Sequence, residues 1–438
     1  MNKAKQYVII TAAAALCAAL AVAGYFYFKD SQPPRMLLTP ASGTVGPATA
    51  FRGEASDESG LRLFKAVFSQ GNKTFTMDAD LAPGDTAAVL EFNLAEAGFT
   101  DGPLSVVISA VDGSWKRMGK GIAAETALDL TFDAKPPSIS VTSMAHNVNR
   151  GGTGCIVYRV NEAVTGTGVT VGELYFPGHP LADGGYACLF AFPEFMELDE
   201  YKPRLTAVDE AGNTASRGFV HHFNDRAFRT DTIRLPDSFL ERKMPEFEGD
   251  TPGQMTPLER FIKVNRDLRA SNRAAMYEIC GNTSPEPLWH GIFLRLPNAA
   301  NRAGFGDRRS YVYNGEVVDH QTHMGIDLAS VRAAPVPAAN AGRVAWTGTM
   351  GIYGNAVVLD HGLGLMTMYA HLSEIAVDKG DAVDKGRIIG RTGSTGLAGG
   401  DHLHYAVYVS GVAVNPVEWW DAAWIRNNVS GRLGMDEP

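Results

Sequence analysis

Residues 402–409 of the 438-residue chain read HLHYAVYV, and this stretch has the alternation of a half-buried β-strand. Side chains at positions i and i+2 of a strand point to the same face. His402 and His404 therefore project together, with Cα atoms about 6–7 Å apart, whereas Tyr405 turns to the opposite face. Two buried imidazoles side by side are costly unless they share a metal ion or hydrogen bonds. The strand therefore predicts a polar site on one face of a sheet.

Two more histidine segments lie upstream of this strand. Residues 323–327 read HMGID, and residues 365–372 read LMTMYAHL. In the second segment, strand alternation places Thr367, Tyr369 and His371 on one face. A catalytic zinc site typically takes three protein ligands and leaves a fourth position for water, and histidine and carboxylate ligands suit zinc. Two histidines and one aspartate from these segments meet that requirement and leave further histidines for proton transfer.

The histidine segments are part of a longer ordered pattern that resembles the lysostaphin-like (LytM-type) family of zinc metallopeptidases. The resemblance runs from about residue 291 to residue 420. Its pieces, in order, are FGDR at 305–308, HMGIDLA at 323–329, PV at 335–336 with Ala338, AGRV at 341–344, YGN at 353–355, DHG at 360–362, YAHL at 369–372, Gly380, Val383, Gly386, GSTG at 393–396, HLH at 402–404 and NP at 415–416. The ordered occurrence of all these pieces is far more specific than an HxH motif alone.

The resemblance implies a role for each of five side chains. His323, Asp327 and His404 match the ligands of one Zn²⁺ ion per chain, and His371 and His402 match two active-site histidines that do not bind the metal. All five residues are retained here, whereas non-catalytic relatives have lost ligands. The implied fold is an antiparallel β-sheet metallopeptidase domain with the duplicated hybrid motif of lipoyl and biotinyl barrels.

The activity implied by the resemblance is that of a metalloendopeptidase that hydrolyses peptide cross-links in bacterial peptidoglycan. Zinc would activate the attacking water. Either His371 or His402 would serve as general base, and the other would stabilise the oxyanion; the sequence leaves this assignment open. Two alternatives remain. One is a non-catalytic wall-binding activator of amidases with the same fold. The other is a latent enzyme in which the β-sandwiches or the connector cover the groove; Asn298 or Asn301 lies where relatives can carry an occluding segment.

Other polar residues of this region have less specific interpretations. Tyr353 and Tyr369 could line the substrate groove, although packing roles are favoured. We expect His361 to be a hydrogen-bonded turn residue and His320 to lie in a surface loop. His290 has no partner at ligand spacing.

The remainder of the chain predicts a mainly β protein. Short strand patterns end in similar turns at AVDG (110–113) and AVDEAGN (207–213), which resemble the ends of bacterial immunoglobulin-like repeats. A helix is expected at 257–279, with Thr256 as N-cap. We expect immunoglobulin-like β-sandwiches at 35–133 and 134–224 that act as spacers, a short helical connector at 225–290, the metallopeptidase domain at 291–425 and a tail at 426–438.

Residues 1–30 predict an N-terminal membrane anchor. An uncharged run at 7–28 follows Lys3 and Lys5 and ends in four aromatic residues, which suits a single span of the inner membrane with its N-terminus inside. The catalytic domain would then lie in the periplasm. The alternative is secretion after signal-peptide cleavage, because residues 21–23 (AVA) resemble a cleavage site.

The charge and the cysteines narrow the remaining possibilities. A net charge of -9 argues against a nucleic-acid partner. The expected partners are peptidoglycan stem peptides and the membrane, while protein partners stay open. An oxidising compartment would permit a disulfide between Cys155 and Cys188; the alternative is two buried thiols.

Overall fold

The computed structural model describes residues 3–29 and 31–435, and within them the chain is mainly β, as predicted. Residues 1, 2, 30 and 436–438, which fall in the predicted anchor and tail, lie outside the described residues. The chain divides into two compact units. One contains the residues up to 137 with 208–214, and the other contains 138–207 with 215–438.

The chain begins with the apolar helix α1, Lys3–Lys29. Its 27 residues extend roughly 40 Å at about 1.5 Å per residue. A bilayer core is about 30 Å thick. Among the described residues, this is the helix long and apolar enough to cross a membrane. A retained anchor and a signal sequence both fit this helix.

The first β domain has two sheets over one apolar core. The sheets have the orders β1-β3-β6 and β2-β8-β7-β4-β5, and phenylalanines from both meet in the core. The immunoglobulin-like topology stays a prediction. The elements are β1 Arg35–Thr39, β2 Thr44–Val45, β3 Phe51–Ser56, β4 Leu61–Gln70, β5 Lys73–Asp78, β6 Ala87–Phe92, β7 Gly102–Asp112, α2 Lys116–Gly119 and β8 Ala123–Phe132.

The second β domain has two four-stranded sheets, β14-β15-β11-β9 and β13-β12-β16-β17, and a parallel pair, β10-β18. The elements are β9 Ile139–Val141, β10 His146–Asn149, β11 Thr153–Val160, β12 Val164–Val171, β13 Leu174–Pro177, β14 His179–Pro180, β15 Tyr186–Ala191, β16 Arg204–Asp209, β17 Thr214–Arg217 and β18 His221–Asn224.

Cys155 and Cys188 are buried free thiols, so the disulfide permitted by the sequence does not form in this structure. In the β11–β15 pair, Cys155 is opposite Leu189, and Cys188 is opposite Ile156. Because neighbouring residues of a strand point to opposite faces, the two thiols lie on opposite faces of the same sheet. A disulfide would require the backbone to move.

The second β domain shares its apolar core with the C-terminal domain. The buried carboxylate of Glu418, near the end of the chain, accepts hydrogen bonds from the Thr153 backbone nitrogen at 2.9 Å and from Asn149 Nδ2 at 3.1 Å. Burial raises the pKa of Glu418 to about 7. This domain is therefore packed on the C-terminal domain, and its role as a spacer stays a prediction.

The segment between these domains contains a strand as well as helices. Strand β19 (Thr230–Arg234) pairs in parallel with β21 (Arg308–Tyr313). The predicted helix is present and begins with a capping box between Thr256 and Glu259. The helical elements are α3 Asp237–Lys243, a 3₁₀ turn Met244–Phe247, α4 Pro257–Lys263, a π-helical turn Val264–Leu268 and α5 Arg269–Cys280.

The C-terminal domain is built on an eight-stranded sheet. Seven strands run in the order β20-β23-β31-β27-β26-β25-β29, and β32 pairs with β31. The strands not yet given are β20 Ala300–Ala303, β22 Glu316–Thr322, β23 Ile326–Ala329, β24 Pro335–Pro337, β25 Gly342–Thr349, β26 Asn355–Asp360, β27 Leu365–Leu372, β28 Glu374–Ile375, β29 Ala382–Val383, β30 Ile388–Arg391, β31 Leu403–Val409 and β32 Val412–Val414.

Short helical turns complete this domain. Val429, in the segment expected to be a tail, is buried in the core shared with the second β domain. The turns are Gly351–Tyr353, α6 Pro416–Trp419, α7 Ala422–Ile425, the π-helical turn Arg426–Ser430 and α8 Gly431–Leu433.

Candidate metal centre and active-site cleft

The strand register of the central sheet brings the histidine segments together. Strand β31 lies between β23 and β27. His404 is directly opposite Asp327 on β23 and opposite Ala370 on β27. His323 precedes β23, and His371 follows Ala370. Residues that are up to 81 positions apart in sequence therefore lie next to one another.

Three polar atoms converge at this point. His323 Nε2 lies 3.0 Å from Asp327 Oδ1 and 3.0 Å from His404 Nδ1, and the last two atoms are 3.1 Å apart. Ligands at tetrahedral positions about 2.0–2.1 Å from zinc are separated by roughly 3.3 Å. The observed triangle is close to this size, so one ion can contact all three atoms.

The hydrogen bonds of His323 orient it as a ligand. Its Nδ1 donates to the carbonyl oxygen of Gly304 at 2.8 Å, which leaves Nε2 as a lone-pair donor. Such a bond to the second ring nitrogen is the usual means of fixing a metal-binding imidazole. Both side chains that face it, Asp327 and His404, can also offer lone pairs. Three lone pairs directed at one point repel each other unless a proton or a cation lies between them, and this fits a divalent metal.

The local electrostatics keep Asp327 ionised and His404 neutral, which are the protonation states in which these side chains can bind a metal ion. Burial alone would raise the pKa of Asp327, but His323, His402 and His404 hold it well below its usual range. Burial lowers the pKa of His404 to about 4, so this imidazole is neutral at pH 7. The second carboxylate oxygen of Asp327, Oδ2, accepts from Arg309 at 3.1 Å. Asp327 thus keeps Oδ1 for the histidines.

His371 reaches the cleft because β27 departs from regular alternation. The pairing with β26 changes register between Asn355 and Val357 and leaves an extra residue on β27 beside His371. His371 itself has φ 62°, which is the left-handed region. The expectation that His371 shares a face with Thr367 and Tyr369 is therefore wrong, because the bulge turns its side chain to the face of His404.

The two remaining histidines present matching atoms to the cleft. His371 Nδ1 donates to the carbonyl oxygen of Thr395, and His402 Nδ1 donates to that of Gly400, both at 2.8 Å. Each Nε2 is left facing the centre, and the two ring centroids are 4.8 Å apart. His402 Nε2 lies 3.5 Å from Asp327 Oδ1.

The surroundings shift the pKa values of these two histidines in opposite directions. Burial, with His402 and His404 nearby, holds the pKa of His371 well below its usual range. Burial would also lower the pKa of His402, but its contact with the Asp327 carboxylate outweighs burial and raises it.

The cleft over the metal centre has a volume of about 530 Å³, and part of its wall comes from the segment before the C-terminal domain. The sequence suggested a connector packed against this domain, but no motif in residues 230–270 indicated which of its side chains line the cleft. It includes Leu235, Pro236, Phe239, Phe261 and Arg269. Parallel pairing of β19 with β21 brings this segment to the cleft.

Lys243 is a second feature that the sequence did not indicate. This buried side chain at the end of α3 donates to the Ser394 carbonyl oxygen at 2.6 Å and pairs with Glu246 at 3.0 Å. The next residue, Thr395, supplies the carbonyl that orients His371. The Thr395 hydroxyl also accepts from the Asn355 nitrogen at 3.0 Å. The loop at 393–396 is thus held by Lys243 at the end of α3 and by Asn355 at the start of β26.

The two tyrosines considered for the groove differ in position. Tyr353 lines the cleft, with its ring centroid 5.4 Å from that of His404. Tyr369 is buried on the other face of the sheet, where its hydroxyl accepts from the Ala339 nitrogen at 2.7 Å and from Thr367 at 3.0 Å. Tyr369 therefore has the packing role that the sequence analysis favoured.

The other histidines of the domain lie outside the cleft lining. His361 is fully buried and contacts the Ala341 carbonyl oxygen and the Thr367 hydroxyl, as expected of a hydrogen-bonded residue. His320 is exposed but lies on β22, so the expected loop is wrong. His290 is exposed.

The asparagines considered for latency are also outside the lining. Asn298 precedes β20, and Asn301 lies on that strand with its side-chain oxygen accepting from Arg295 at 2.6 Å. Neither residue belongs to the candidate metal-binding group of His323, Asp327 and His404.

Comparison with known proteins identifies the domain that holds this centre. Residues 321–416 match peptidase family M23. The C-terminal region contains an M23 peptidase domain. The match takes in all five predicted site residues and excludes the β domains and the connecting segment.

Characterised relatives of the M23 domain include two bacterial peptidases. The chain is 45% identical over 95 residues to the DD-carboxypeptidase/endopeptidase Mpg of Neisseria meningitidis serogroup B, which is 22% of each chain. It is 39% identical over 116 residues to the peptidoglycan DD-endopeptidase ShyA of Vibrio cholerae, 26% of each chain. The alignments thus span about a quarter or less of these relatives.

A solved structure, a putative M23 peptidase from Pseudomonas aeruginosa, matches with a TM-score of 0.40 at 19% identity. It covers 61% of this chain and 93% of that chain.

Proposed function

We propose that this protein is a zinc-dependent metalloendopeptidase that hydrolyses peptide cross-links of bacterial peptidoglycan. One observation carries the proposal: two histidines and an aspartate converge within 3.0–3.1 Å, with two further imidazoles beside them. The peptidoglycan-directed activity named for Mpg and ShyA supports the choice of substrate. The proposed metal is one Zn²⁺ per chain, bound by His323, Asp327 and His404.

The proposed chemistry divides the work between metal and protein. The chemistry supplied by a bound zinc ion is Lewis acidity, which acidifies water and polarises a carbonyl group. His371 and His402 both have Nε2 free towards the cleft because a backbone carbonyl holds each Nδ1.

The pKa directions suggest how the two histidines divide the proton transfers. His371, which resists protonation, carries its single proton on Nδ1 and presents the Nε2 lone pair to the cleft, so it would accept the proton of the attacking water. His402, whose pKa is raised by Asp327, is more readily protonated on both nitrogens and would donate a hydrogen bond from Nε2 to the developing oxyanion. His371 would return the water proton to the leaving amine.

Helix α1 supports a location at the outer face of the inner membrane. Lys3 and Lys5 precede the apolar run and Lys29 ends the helix. In a retained anchor, the basic N-terminus would stay inside and the peptidase domain would face the periplasm. If helix α1 were instead a cleaved signal peptide, the rest of the chain would be secreted.

The test uses the full-length protein in detergent with purified peptidoglycan sacculi. Metal analysis should give one zinc per chain, and mass spectrometry should detect soluble cross-link fragments that disappear on chelation. His320→Ala is the matched control, because His320 is an exposed histidine outside the cleft. The non-catalytic activator would be indicated by three results together. The protein would bind stoichiometric zinc, release no fragment by itself, and stimulate added active amidases.

A further inference from the structure

The walls of the cleft are strongly basic. Five arginines line it together with the proposed metal ligands: Arg234, Arg242, Arg269, Arg302 and Arg309. The lining contains two acidic residues, Asp231 and Asp327. Because the whole chain carries a net charge of -9, this concentration of positive charge is opposite in sign to the rest of the molecule. A cleft lined by one sign of charge focuses the field and concentrates ligands of the opposite sign.

Two of these arginines are already engaged. Arg309 pairs with Asp327 Oδ2 at 3.1 Å. Arg269 bonds to the backbone and side-chain oxygens of Asn265 at 3.2 and 2.7 Å. Their positions are therefore set by protein groups.

The other three have no ion pair among the described residues. Arg234, Arg242 and Arg302 are exposed at the rim of the cleft. Asp231, the acidic residue that is not a ligand, lies 3.4 Å from Arg229 instead. The guanidinium groups at the rim are thus free to bind an anion.

The strand arrangement places these groups around the metal centre. Arg302 is next to Ala303, which is directly opposite Asp327 in the β20–β23 pair. Arg234 ends β19, and Asp231 on the same strand is opposite Arg309 in the β19–β21 pair. Cationic side chains therefore reach the cleft from the edge of the central sheet and from the connecting segment.

We propose that the rim arginines Arg234, Arg242 and Arg302 form a carboxylate-binding subsite that selects peptides with a free carboxylate on a residue flanking the scissile bond. This rests on the proposed peptidase function. The anionic groups of an ordinary peptide are carboxylates, and arginine binds a carboxylate through two parallel, charge-assisted hydrogen bonds. Such a subsite would let binding energy remote from the reacting atoms contribute to catalysis.

The experiment compares two synthetic cross-linked peptides that differ only in whether the carboxylates flanking the scissile bond are free or amidated. With the full-length zinc-loaded protein, we expect kcat/KM for the free acid to exceed that for the amide by about 10- to 100-fold, the range of charge-assisted hydrogen bonds. Raising the salt concentration should reduce the difference, because the rim is exposed to solvent.

Variants assign the preference to the rim. Arg302→Gln and the double variant Arg234→Gln/Arg242→Gln should each lower kcat/KM for the free acid by about 10-fold and have a smaller effect on the amide. Arg343→Gln is the matched control, since Arg343 is an exposed arginine of the same domain outside the cleft lining. Its removal changes the net charge equally and should leave the preference intact.

The outcomes separate this proposal from the one on which it rests. Cleavage of both peptides at equal rates, or an undiminished preference in the rim variants, would overturn the subsite and leave the peptidase standing. Calorimetry with the product peptides gives a second readout, in which the acid should bind more tightly than the amide and lose that advantage in Arg302→Gln. Failure to cleave both the peptides and the sacculi would end both proposals. Tighter binding of a sugar-phosphate polymer than of the acid peptide would end the assignment of the subsite to carboxylates.

Discussion

Neighbouring strands β31 and β27 deliver histidines to the same cleft by different means. His402 directly precedes β31 and His404 lies on it, and regular alternation suffices for the two side chains to share a face as their spacing predicts. On β27, alternation would send His371 to the face of Tyr369, and a bulge with φ 62° reverses it. A non-glycine residue in this region costs of order 1–3 kcal/mol and persists only where the surroundings impose it. The spacing in the sequence therefore predicts the shared face of His402 and His404, whereas tertiary contacts decide the face of His371.

The largest expected effect is on β31. His404→Ala should lose bound zinc and lower cleavage by more than about 1,000-fold, because the two remaining protein ligands fall short of the three that catalytic zinc sites use. Metal analysis and peptide release measure the two effects separately. Full zinc occupancy in this variant would contradict the ligand assignment.

The non-ligand histidines should behave alike despite their different strands. His402→Ala and His371→Ala should each retain zinc and lower kcat by about 100- to 10,000-fold, the range for a general acid–base group. If His402→Ala lost its zinc, the division between ligand and catalytic histidines would be wrong.

Buried His361, which contacts the Thr367 hydroxyl of β27, should make the stability of the fold sensitive to acid. Burial lowers the pKa of His361 to about 4, below the unfolded value of about 6.5. Its contribution to stability is therefore complete above pH 6.5 and is lost as the pH falls towards 4, by up to about 3 kcal/mol. Chemical denaturation between pH 4 and 7 should show a steeper loss of stability in the wild type than in His361→Gln, because His146 and His404, whose pKa values are also about 4, contribute equally to both; parallel curves would refute the role of His361.

The loop that orients His371 should depend on Lys243. Lys243→Met leaves Glu246 and the Ser394 carbonyl without their buried partner, at a cost of about 1–3 kcal/mol. It should lower kcat by roughly 10-fold without loss of zinc, since a misplaced catalytic group costs rate. Lys202→Met removes an exposed lysine and serves as control. An unchanged kcat with lowered stability would assign Lys243 a purely structural role.

The smallest effect tests the backbone contrast directly. His371→Gly should be more stable than His371→Ala by about 1 kcal/mol, because glycine adopts positive φ without strain. At His402 the order should reverse, since glycine weakens extended strands by about 0.5–1 kcal/mol relative to alanine. Thermal or chemical unfolding of the four variants measures both differences. The same order at both positions would show that the bulge does not constrain His371.

The sequence by itself determined a mainly β chain, its N-terminal apolar helix, the capped helix expected at 257–279 and the M23 domain. These features are local: strand alternation, capping residues and ordered motifs depend on near neighbours in the chain. The face of His371, the opposite orientations of Cys155 and Cys188, the basic wall from residues 230–270 and the anchoring by Lys243 were decided by tertiary structure alone. Each depends on which distant strand or loop lies alongside, and the register and bulges that set such neighbours leave no local pattern in the sequence.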